Sequence, residues 1–416
     1  MPIQNALQIG KFFAFAIILS DFVFVKVIIM NSPTKADPMK ILFLGTHGQF
    51  NIGDELLLET FLAQLGIEHQ YAVNSYDPTF TQNAMRPKFK VESFHTTREL
   101  PRFLKYLLTS DLLFFGGGSI IKELYASVGR NPYSTLLMIL ATVTFAKQIA
   151  RKRVVMSNIG VGPIMTPRGE QLARWILNQV DILSVRDEKS LQTALKLGLA
   201  PSRVMLVPDA VFANPPEVFA SHPEVPPPSD KTRVALNLNY DIENPNAWEA
   251  FLTNLATALK QLGETHALEI HALPMQSKFK ANDDLSVLKD FTKRIPDIPY
   301  ILHDPQTAQE AAQIIQGMDM VLAERLHTLV ISSVLGKPFF GLVYDVKVKE
   351  LIDYLGMSEH SLNINQSFTA EELVNGINCV LDQRETISTH LLKRSTSLRE
   401  QLGKYFDEIR QKFIGR

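Results

Sequence analysis

The chain has 416 residues, with 42 Lys and Arg against 43 Asp and Glu and a formal net charge of −1. This balance gives no basic face of the kind that nucleic-acid binding needs, so we expect no nucleic-acid partner. A single cysteine, Cys379, excludes intrachain disulfides and cysteine-rich zinc sites, and it is compatible with a reducing cytoplasm, where we expect the protein to act. An apolar content of 46% in a chain of this length allows two domains, each with a full core.

Residues 1–38 form an apolar N-terminal extension. Residues 12–30 are strongly apolar, but Asp21 and Lys26 interrupt them, so the clean run is shorter than the ~20 residues of a spanning helix. No small-residue cleavage site follows, which argues against a signal peptide. Three interpretations stand: a weak anchor at the inner face of the membrane, an extra packed helix, or an extension from a misassigned start codon before Met39. The third is favoured.

From residue 39 to residue 212, short apolar runs alternate with amphipathic stretches. The apolar runs lack a two-residue alternation, as expected for strands that are covered on both faces. The β-α repetition predicts an N-terminal α/β domain with a parallel, doubly wound sheet. The predicted strands are "ILFLG", "YAVNS", "DLLFFGGG", "RVVMSNIG", "ILSVRD" and "VMLVPD".

Residues 213–231 contain six prolines and predict a linker, because neither helix nor strand tolerates that density. The β-α pattern then restarts and predicts a C-terminal α/β domain over residues 232–385, followed by amphipathic helices over residues 386–416. We therefore expect two Rossmann-like domains that face a cleft, with ligands beyond the carboxyl ends of the strands.

The stretch "GTHGQFNIGDELLLETF", residues 45–61, leaves the first strand through glycines and starts a helix. Asp54 is either a helix N-cap or part of a ligand loop, in which Asn51 and Asp54 offer polar groups to a sugar or a phosphate. Gly53 lets the backbone pass close to a ligand. The spacing matches neither the dinucleotide fingerprint nor a Walker loop.

A second glycine loop, "DLLFFGGGSIIKE", ends a strand at residues 116–118. Without side chains at Gly117 and Gly118, and with Ser119 beside them, backbone N–H groups can approach an anion, although a tight crossing of two segments explains the glycines as well. Farther on, "SVRDEKS" places Arg186 at a strand end and Asp187 at a helix start, where Asp187 is most simply an N-cap. An arginine at a strand end suits a carboxylate or a phosphate.

In the second half, "AERLHTLV" places Arg325 and His327 at a strand-to-helix turn. Arg325 suits an anion, and His327 is a candidate acid or base because its free pKa lies near neutrality. Lys347, in "YDVKVKE", is a further candidate cation, with a solvated helix face as the alternative. No group of His, Asp or Glu has metal-ligand spacing, so we expect no metal and no cofactor.

Together, these motifs resemble the polysaccharide pyruvyl transferases, from about Lys40 to about Leu355. The resemblance rests on "GTHGQFNIGDELLL", "DLLFFGGGSII", "NIGVGPI", "SVRDEKSLQTALKLG", "PDAVF" and "ERLHTLVISSVLGKPFFGLVYDVKVKELIDYLG". It implies a fold similar to the B-type glycosyltransferases. It also implies transfer of pyruvate from phosphoenolpyruvate to two hydroxyls of a sugar, lipid-linked or not, which gives a ketal.

By this resemblance the functional Arg-Leu-His motif falls on Arg325 and His327, the Asn-x-Gly-Asp loop on Asn51, Gly53 and Asp54, and the strand-end arginine on Arg186. His327 would be the acid, Arg325 would hold anionic groups, and Asp54 would take the hydroxyl proton. Thr46 and His47 depart from the family, whose members often have an aromatic there. Two rivals remain: a nucleotide-sugar glycosyltransferase of the same architecture and a non-catalytic glycan-binding protein.

Overall fold

A computed structural model describes residues 38–124, 131–219, 230–240, 245–279 and 282–414. By their internal contacts these residues divide into two units. Unit 1 contains the described residues of 38–46, 61–207 and 405–414, and unit 2 contains those of 47–60 and 208–404. The apolar stretch 12–30 and residues 220–229 of the predicted linker lie outside the described residues.

Unit 1 is built on a seven-stranded sheet in the order β3-β2-β1-β4-β5-β6-β7, in which all paired strands are parallel. The central strands are buried along their length, because helices of the β-α repeats cover both faces. The strands are β1 Lys40–Leu44, β2 Gln70–Asn74, β3 Lys90–Phe94, β4 Leu112–Gly116, β5 Arg153–Ile159, β6 Ile182–Val185 and β7 Val204–Leu206.

The connections of unit 1 are helical. A cluster of aromatic rings lies under the sheet, where Phe43 stacks on Phe114 at 5.3 Å between centroids and Phe61 packs against both. The helices are α1 Ile52–Leu65, of which residues 61–65 belong to this unit, α2 Pro78–Met85, α3 Leu100–Thr109, α4 Ser134–Thr144, α5 Pro167–Leu177 and α6 Glu188–Lys196.

Unit 2 repeats the plan with a six-stranded parallel sheet in the order β10-β9-β8-β11-β12-β13. The strands are β8 Thr232–Asn237, β9 Leu268–Ala272, β10 Tyr300–Leu302, β11 Met320–Ala323, β12 Phe339–Val343 and β13 Ser361–Asn363. The helices are α7 Pro245–Thr265, α8 Asp284–Thr292, α9 Ala308–Gln316, α10 Leu326–Val334, α11 Val346–Leu355, α12 Ala370–Asp382 and α13 Arg384–Ile409, of which residues 384–404 belong to this unit.

The predicted fold class, two doubly wound α/β domains, is confirmed. In both sheets the strand order runs outward from the first strand in one direction and then in the other, as in dinucleotide-binding folds. The sequence analysis missed two edge strands. β3 alternates exposed and buried residues over most of its length, and β13 has three half-buried residues, so neither shows the apolar run used to find the others.

The predicted domains are consecutive ranges of the chain. The observed units are not, because residues 47–60 lie in unit 2 and residues 405–414 lie in unit 1. Residues 47–60 belong to unit 2 because Ile52 N donates to Met275 O at 2.9 Å and Ser277 N donates to Phe50 O at 3.3 Å. Residues 405–414 belong to unit 1, where the Tyr405 hydroxyl hydrogen-bonds with the hydroxyls of Ser157 and Ser184. The C-terminal amphipathic stretch is the single long helix α13, followed by a short π-helical turn.

Across the described ranges, none of the helices combines the length and the apolar character needed to cross a bilayer. The stretch for which membrane association is predicted lies outside those ranges.

Candidate active site

The candidate site of unit 2 lies where the strand order of its sheet reverses, between β8 and β11. In doubly wound sheets the crevice at this point binds ligands, because the flanking connections leave in opposite directions. Asn237 ends β8, and Glu324 and Arg325 follow β11 directly. The Asn237 side chain links the two strand ends, since its Oδ1 accepts a hydrogen bond from Arg325 N at 2.9 Å.

His327 is the second residue of α10, and its side chain is 12% exposed. Its Nε2 lies 3.7 Å from Oδ2 of Asp209, a carboxylate that is itself 5% exposed. Oδ1 of Asp209 accepts a hydrogen bond from Val211 N at 3.0 Å, which fixes the carboxylate. The two side chains form an ion pair whenever the imidazole is protonated, so Asp209 is placed to orient the ring.

Gly53 lies against the other side of the same imidazole. A Cβ atom built on Gly53 would lie 2.0 Å from His327 Nδ1 and 2.5 Å from Cγ. Gly53 has no positive φ, so its backbone does not require glycine. The structure therefore gives a different reason for this glycine than the predicted approach to a ligand: only glycine leaves room for the His327 ring.

The loop before α1 is attached to residues 275–277. Ile52 N donates to Met275 O, and Asn51 pairs with Gln276 in an antiparallel bridge. The Asn51 side chain caps α1, accepting from Gly53 N at 3.0 Å and more distantly from Asp54 N at 3.4 Å. The helix cap is thus Asn51, whereas the sequence analysis considered Asp54 for it.

The Arg325 guanidinium is engaged within unit 2. Its Nε donates to Asp284 Oδ2 at 3.1 Å, and its Nη2 donates to Asp284 Oδ1 at 2.6 Å and to Gln276 Oε1 at 3.0 Å. Asp284 has no exposed surface, so this is a buried, bidentate ion pair. Arg325 thus already has an internal carboxylate partner, and its role in holding an anionic substrate group stays a prediction.

Two other predicted residues of unit 2 have different surroundings. Asp54 is half-buried in the first turn of α1, and its predicted role as a base stays a prediction. Its neighbour Glu55 accepts a hydrogen bond from Gly48 N at 2.6 Å and so holds the glycine loop. Lys347 Nζ lies 3.3 Å from Asp345, the residue that caps α11, in a pair about one third exposed on both sides.

The predicted glycine loop of unit 1 also follows a strand at the reversal of its sheet, after β4. Gly117 and Gly118 have φ of 63° and 73°, in the left-handed region that favours glycine. Gly117 N donates to Ser157 O at 3.0 Å, and Gly118 O accepts from Gly160 N at 2.8 Å, so the loop continues along the end of β5. These contacts match the tight crossing of two segments that the sequence analysis weighed against an anion site.

Ser119 and Arg186 complete the predicted residues of unit 1. A Cβ atom on Gly160 would lie 2.6 Å from Ser119 Oγ, so Ser119 packs closely on the next loop. Arg186 follows β6 and is 9% exposed, and its Nε lies 3.8 Å from Asp187 Oδ2. Asp187 caps α6, as predicted, by accepting from Ser190 N at 2.7 Å. The substrate-binding roles of Ser119 and Arg186 stay predictions.

The sequence analysis missed Asp284 and Gln276, and Asp209 entered it only within the motif "PDAVF". Asp284 stands at the start of a helix in "NDDLSV", where an acid is ordinary. Its partner Arg325 lies 41 positions later, so no local spacing connects them. In the described part of the chain no group of three or more His, Cys, Asp or Glu side chains is placed to hold a metal ion.

His47 is a buried histidine in the loop that precedes α1, with 2% of its surface exposed. Burial lowers its pKa from 6.5 to about 4, and an interaction with the backbone of Asp54 opposes the shift in part. The folded protein therefore holds His47 neutral at pH values where the unfolded chain protonates it.

We expect this histidine to make the protein sensitive to acid. As the pH falls from 6.5 to about 4, His47 binds a proton in the unfolded chain but stays neutral in the folded protein. The free energy of unfolding therefore decreases by up to about 3 kcal/mol over this range. Above pH 6.5 His47 makes no pH-dependent contribution. Urea unfolding of the wild type and His47→Gln, at about pH 7.5 and about pH 4.5, measures the difference.

The comparison cancels the contributions of His271 and His303, whose pKa values are also lowered by burial. The wild type should lose more unfolding free energy between the two pH values than His47→Gln does. Equal losses would mean that His47 is not held neutral in the folded state.

The profile of the polysaccharide pyruvyl transferase family matches residues 51–346, which is more than half of the chain. This range begins at Asn51, directly before α1, and contains the whole Arg-Leu-His turn. No curated protein matches the sequence significantly.

Solved structures share the fold at low sequence identity. Anabaena HepE, in complex with UDP and glucose, is 14% identical with a TM-score of 0.60, over 90% of this chain and 99% of that one. Neisseria meningitidis UDP-GlcNAc 2-epimerase, bound to UDP-GlcNAc, is 11% identical with a TM-score of 0.54, over 88% and 100% of the two chains. A Rickettsia africae glycosyltransferase is 13% identical with a TM-score of 0.54, over 90% and 99%.

At these identities the likeness shows the fold alone, and it agrees with the predicted similarity to B-type glycosyltransferases. Family membership rests on the profile match and agrees with the resemblance found in the sequence motifs. The chain belongs to the polysaccharide pyruvyl transferase family.

Proposed function

We propose that this protein transfers pyruvate from phosphoenolpyruvate onto two hydroxyls of a sugar, in a cell-surface polysaccharide or its precursor, and releases phosphate. The product is a cyclic ketal, and no metal or other cofactor takes part. We place the activity in the cytoplasm, where a lipid-linked acceptor would be met at the inner face of the membrane.

The observation that supports this proposal is the setting of His327. The imidazole stands at the reversal point of the sheet, between Gly53 and the Asp209 carboxylate, which come from two separate segments of the chain. Reactions of phosphoenolpyruvate at C2 begin with protonation of its methylene carbon, which needs a positioned acid. A histidine is suited to this role because its free pKa lies near neutrality.

The bond changes balance with two hydroxyls and no further reactant. A proton passes from the His327 imidazole to the methylene carbon, which becomes a methyl group while C2 gains cationic character. One sugar oxygen bonds to C2 and gives up its proton, the bond from C2 to the phosphate oxygen breaks, and the second sugar oxygen closes the ring. Of the two hydroxyl protons, one restores the acid and the other leaves with phosphate. Asp54 is the proposed acceptor of a hydroxyl proton.

The anionic groups of phosphoenolpyruvate need positive partners. The start of α10 supplies N–H groups without intrahelical acceptors and the positive end of the helix dipole, directly beside His327. Lys347 is the proposed side-chain cation of unit 2, and Arg186 and the Gly117–Gly118–Ser119 loop are the proposed anion contacts of unit 1.

The rival function is glycosyl transfer from a nucleotide sugar, and the UDP and glucose bound by HepE favour including it. Purified protein is given phosphoenolpyruvate and, separately, uridine and guanosine nucleotide sugars, each with a panel of lipid-linked and nucleotide-linked acceptor sugars. We expect acceptor-dependent phosphate release from phosphoenolpyruvate and no release of nucleoside diphosphate. The opposite result would establish the rival, and binding of sugars without any turnover would identify a glycan-binding protein.

A further inference from the structure

We propose that Asp284 is a positioning residue for this reaction and that Arg325 acts through it. In this view the buried pair of Arg325 and Asp284 holds residues 275–277, and through them the loop that presses Gly53 against His327. The inference rests on the proposed function for its kinetic consequences, but the pairing itself is testable without turnover.

The charge of Arg325 is already matched inside unit 2. Its Nε and Nη2 atoms form a fork on the two oxygens of Asp284, which has no exposed surface. A buried carboxylate without a cation is strongly destabilising, so Asp284 needs this guanidinium whether or not substrate is bound. A guanidinium that is neutralised in this way is a poor ligand for a phosphate or a second carboxylate.

Both members of the pair form hydrogen bonds with the segment that follows β9, residues 275–277. Asp284 Oδ2 accepts a hydrogen bond from Met275 N at 3.1 Å, and Arg325 Nη2 donates to Gln276 Oε1 at 3.0 Å. Asp284 N donates to Gln276 O at 3.1 Å, which closes the connection. The backbone of Met275 and the side chain of Gln276 are thus both fixed by charged partners.

The same two residues hold the loop before α1. Ile52 N donates to Met275 O at 2.9 Å, and Gln276 Nε2 donates to Gln49 O at 3.2 Å. Gly53 follows Ile52 and lies against the imidazole. Because Arg325 also stands two positions before His327, the pair controls both the helix start that carries the ring and the loop that it packs against.

The test uses Arg325→Gln, Asp284→Asn and the double variant, with Asp319→Asn as the matched control. Asp319 lies at the opposite end of β11, where its side chain accepts from Arg233 N at 2.8 Å. Hydrogen exchange is measured at the amides of Ile52 and Ser277, relative to amides of the central strands. Turnover of phosphoenolpyruvate is followed on the same samples, with kcat and KM determined separately.

Positioning predicts that each single variant speeds exchange at these two amides by roughly tenfold or more, because a buried hydrogen-bonded partner is lost. It also predicts that kcat falls by about 10²-fold in both variants while KM for phosphoenolpyruvate changes little, since displacement of the acid by about 1 Å suffices for such a loss. The double variant should lose less than the product of the two single losses, and Asp319→Asn should behave as the wild type.

A direct substrate role for Arg325 predicts a different pattern. Exchange at Ile52 and Ser277 would then be unchanged in Arg325→Gln, KM for phosphoenolpyruvate would rise, and Asp284→Asn would remain active; that pattern would overturn the inference. If Arg325→Gln does not fold, Arg325→Lys, which keeps the charge but loses the fork, takes its place. If the wild type does not turn over phosphoenolpyruvate, the proposed function fails, while the exchange results still decide whether the pair holds the loop.

Discussion

Replacement of His327 by alanine is expected to lower acceptor-dependent phosphate release by about 10²–10⁴-fold, which is the usual contribution of a positioned acid. The imidazole is the one titratable group that the structure holds between Gly53 and Asp209, among the residues it describes. Without it the methylene carbon must be protonated by water. His327→Gln, which keeps a polar side chain of similar length, should lose activity to a similar degree, because an amide is not an acid near neutral pH.

The matched control is His266→Ala. His266 belongs to the same unit, and its Nε2 lies 3.0 Å from Asn378 Oδ1, a contact between α12 and the residue after α7. That variant should keep wild-type activity. Thermal unfolding of all three variants is measured alongside the rates, so that loss of fold is separated from loss of chemistry. Phosphate release unchanged in a folded His327→Ala would remove the histidine from the reaction.

Replacement of Gly53 by alanine should be nearly as damaging, although Gly53 is not expected to touch substrate. The added Cβ would lie 2.0 Å from His327 Nδ1 and 2.8 Å from its Cβ, so rotation of the ring alone does not relieve the overlap. Displacement of a catalytic group by about 1 Å costs on the order of 10²-fold in rate. We therefore expect kcat to fall by about that factor.

The stability of Gly53→Ala distinguishes this explanation from others. In a helix, alanine is normally better than glycine by roughly 0.5–1 kcal/mol, so without the overlap the variant would be more stable than the wild type. Gly263→Ala, in α7, is the control, because its Cβ would meet Ile298 only at 3.9 Å. We expect stabilisation there and destabilisation at Gly53. Adding His327→Ala to Gly53→Ala removes the overlapping ring and should recover part of the lost stability. A Gly53→Ala protein that is as active and as stable as the wild type would contradict the contact.

The strand-end motifs predicted much of the fold because each depends on neighbours in the chain. Strands covered on both faces need apolar runs such as that of β4, and a strand-to-helix turn needs a cap such as Asp187. These local requirements are visible in any window of a few residues. The edge strand β3 was missed because its exposed residues interrupt the apolar run that marks the other strands.

The candidate site was predictable in its members but less so in their roles. The sequence singled out Gly53, Arg325 and His327 from glycine loops and charged residues at strand ends. It assigned Gly53 to a ligand and Arg325 to an anion, because the sequence shows which chemical groups a residue offers but not which other residues it contacts in the fold. The structure fills the space beside Gly53 with an imidazole and pairs Arg325 with Asp284.

The sequence by itself determined the two α/β sheets and the turns that carry the polar residues, since hydrophobic period and helix caps are local properties. Only the tertiary structure decided that residues 47–60 pack with the second unit, that Asp209 faces His327 and that Asp284 neutralises Arg325. Those contacts join residues from 41 to more than 200 positions apart. Buried charge pairing and backbone pairing between distant strand ends depend on geometry in space, which no sequence spacing encodes.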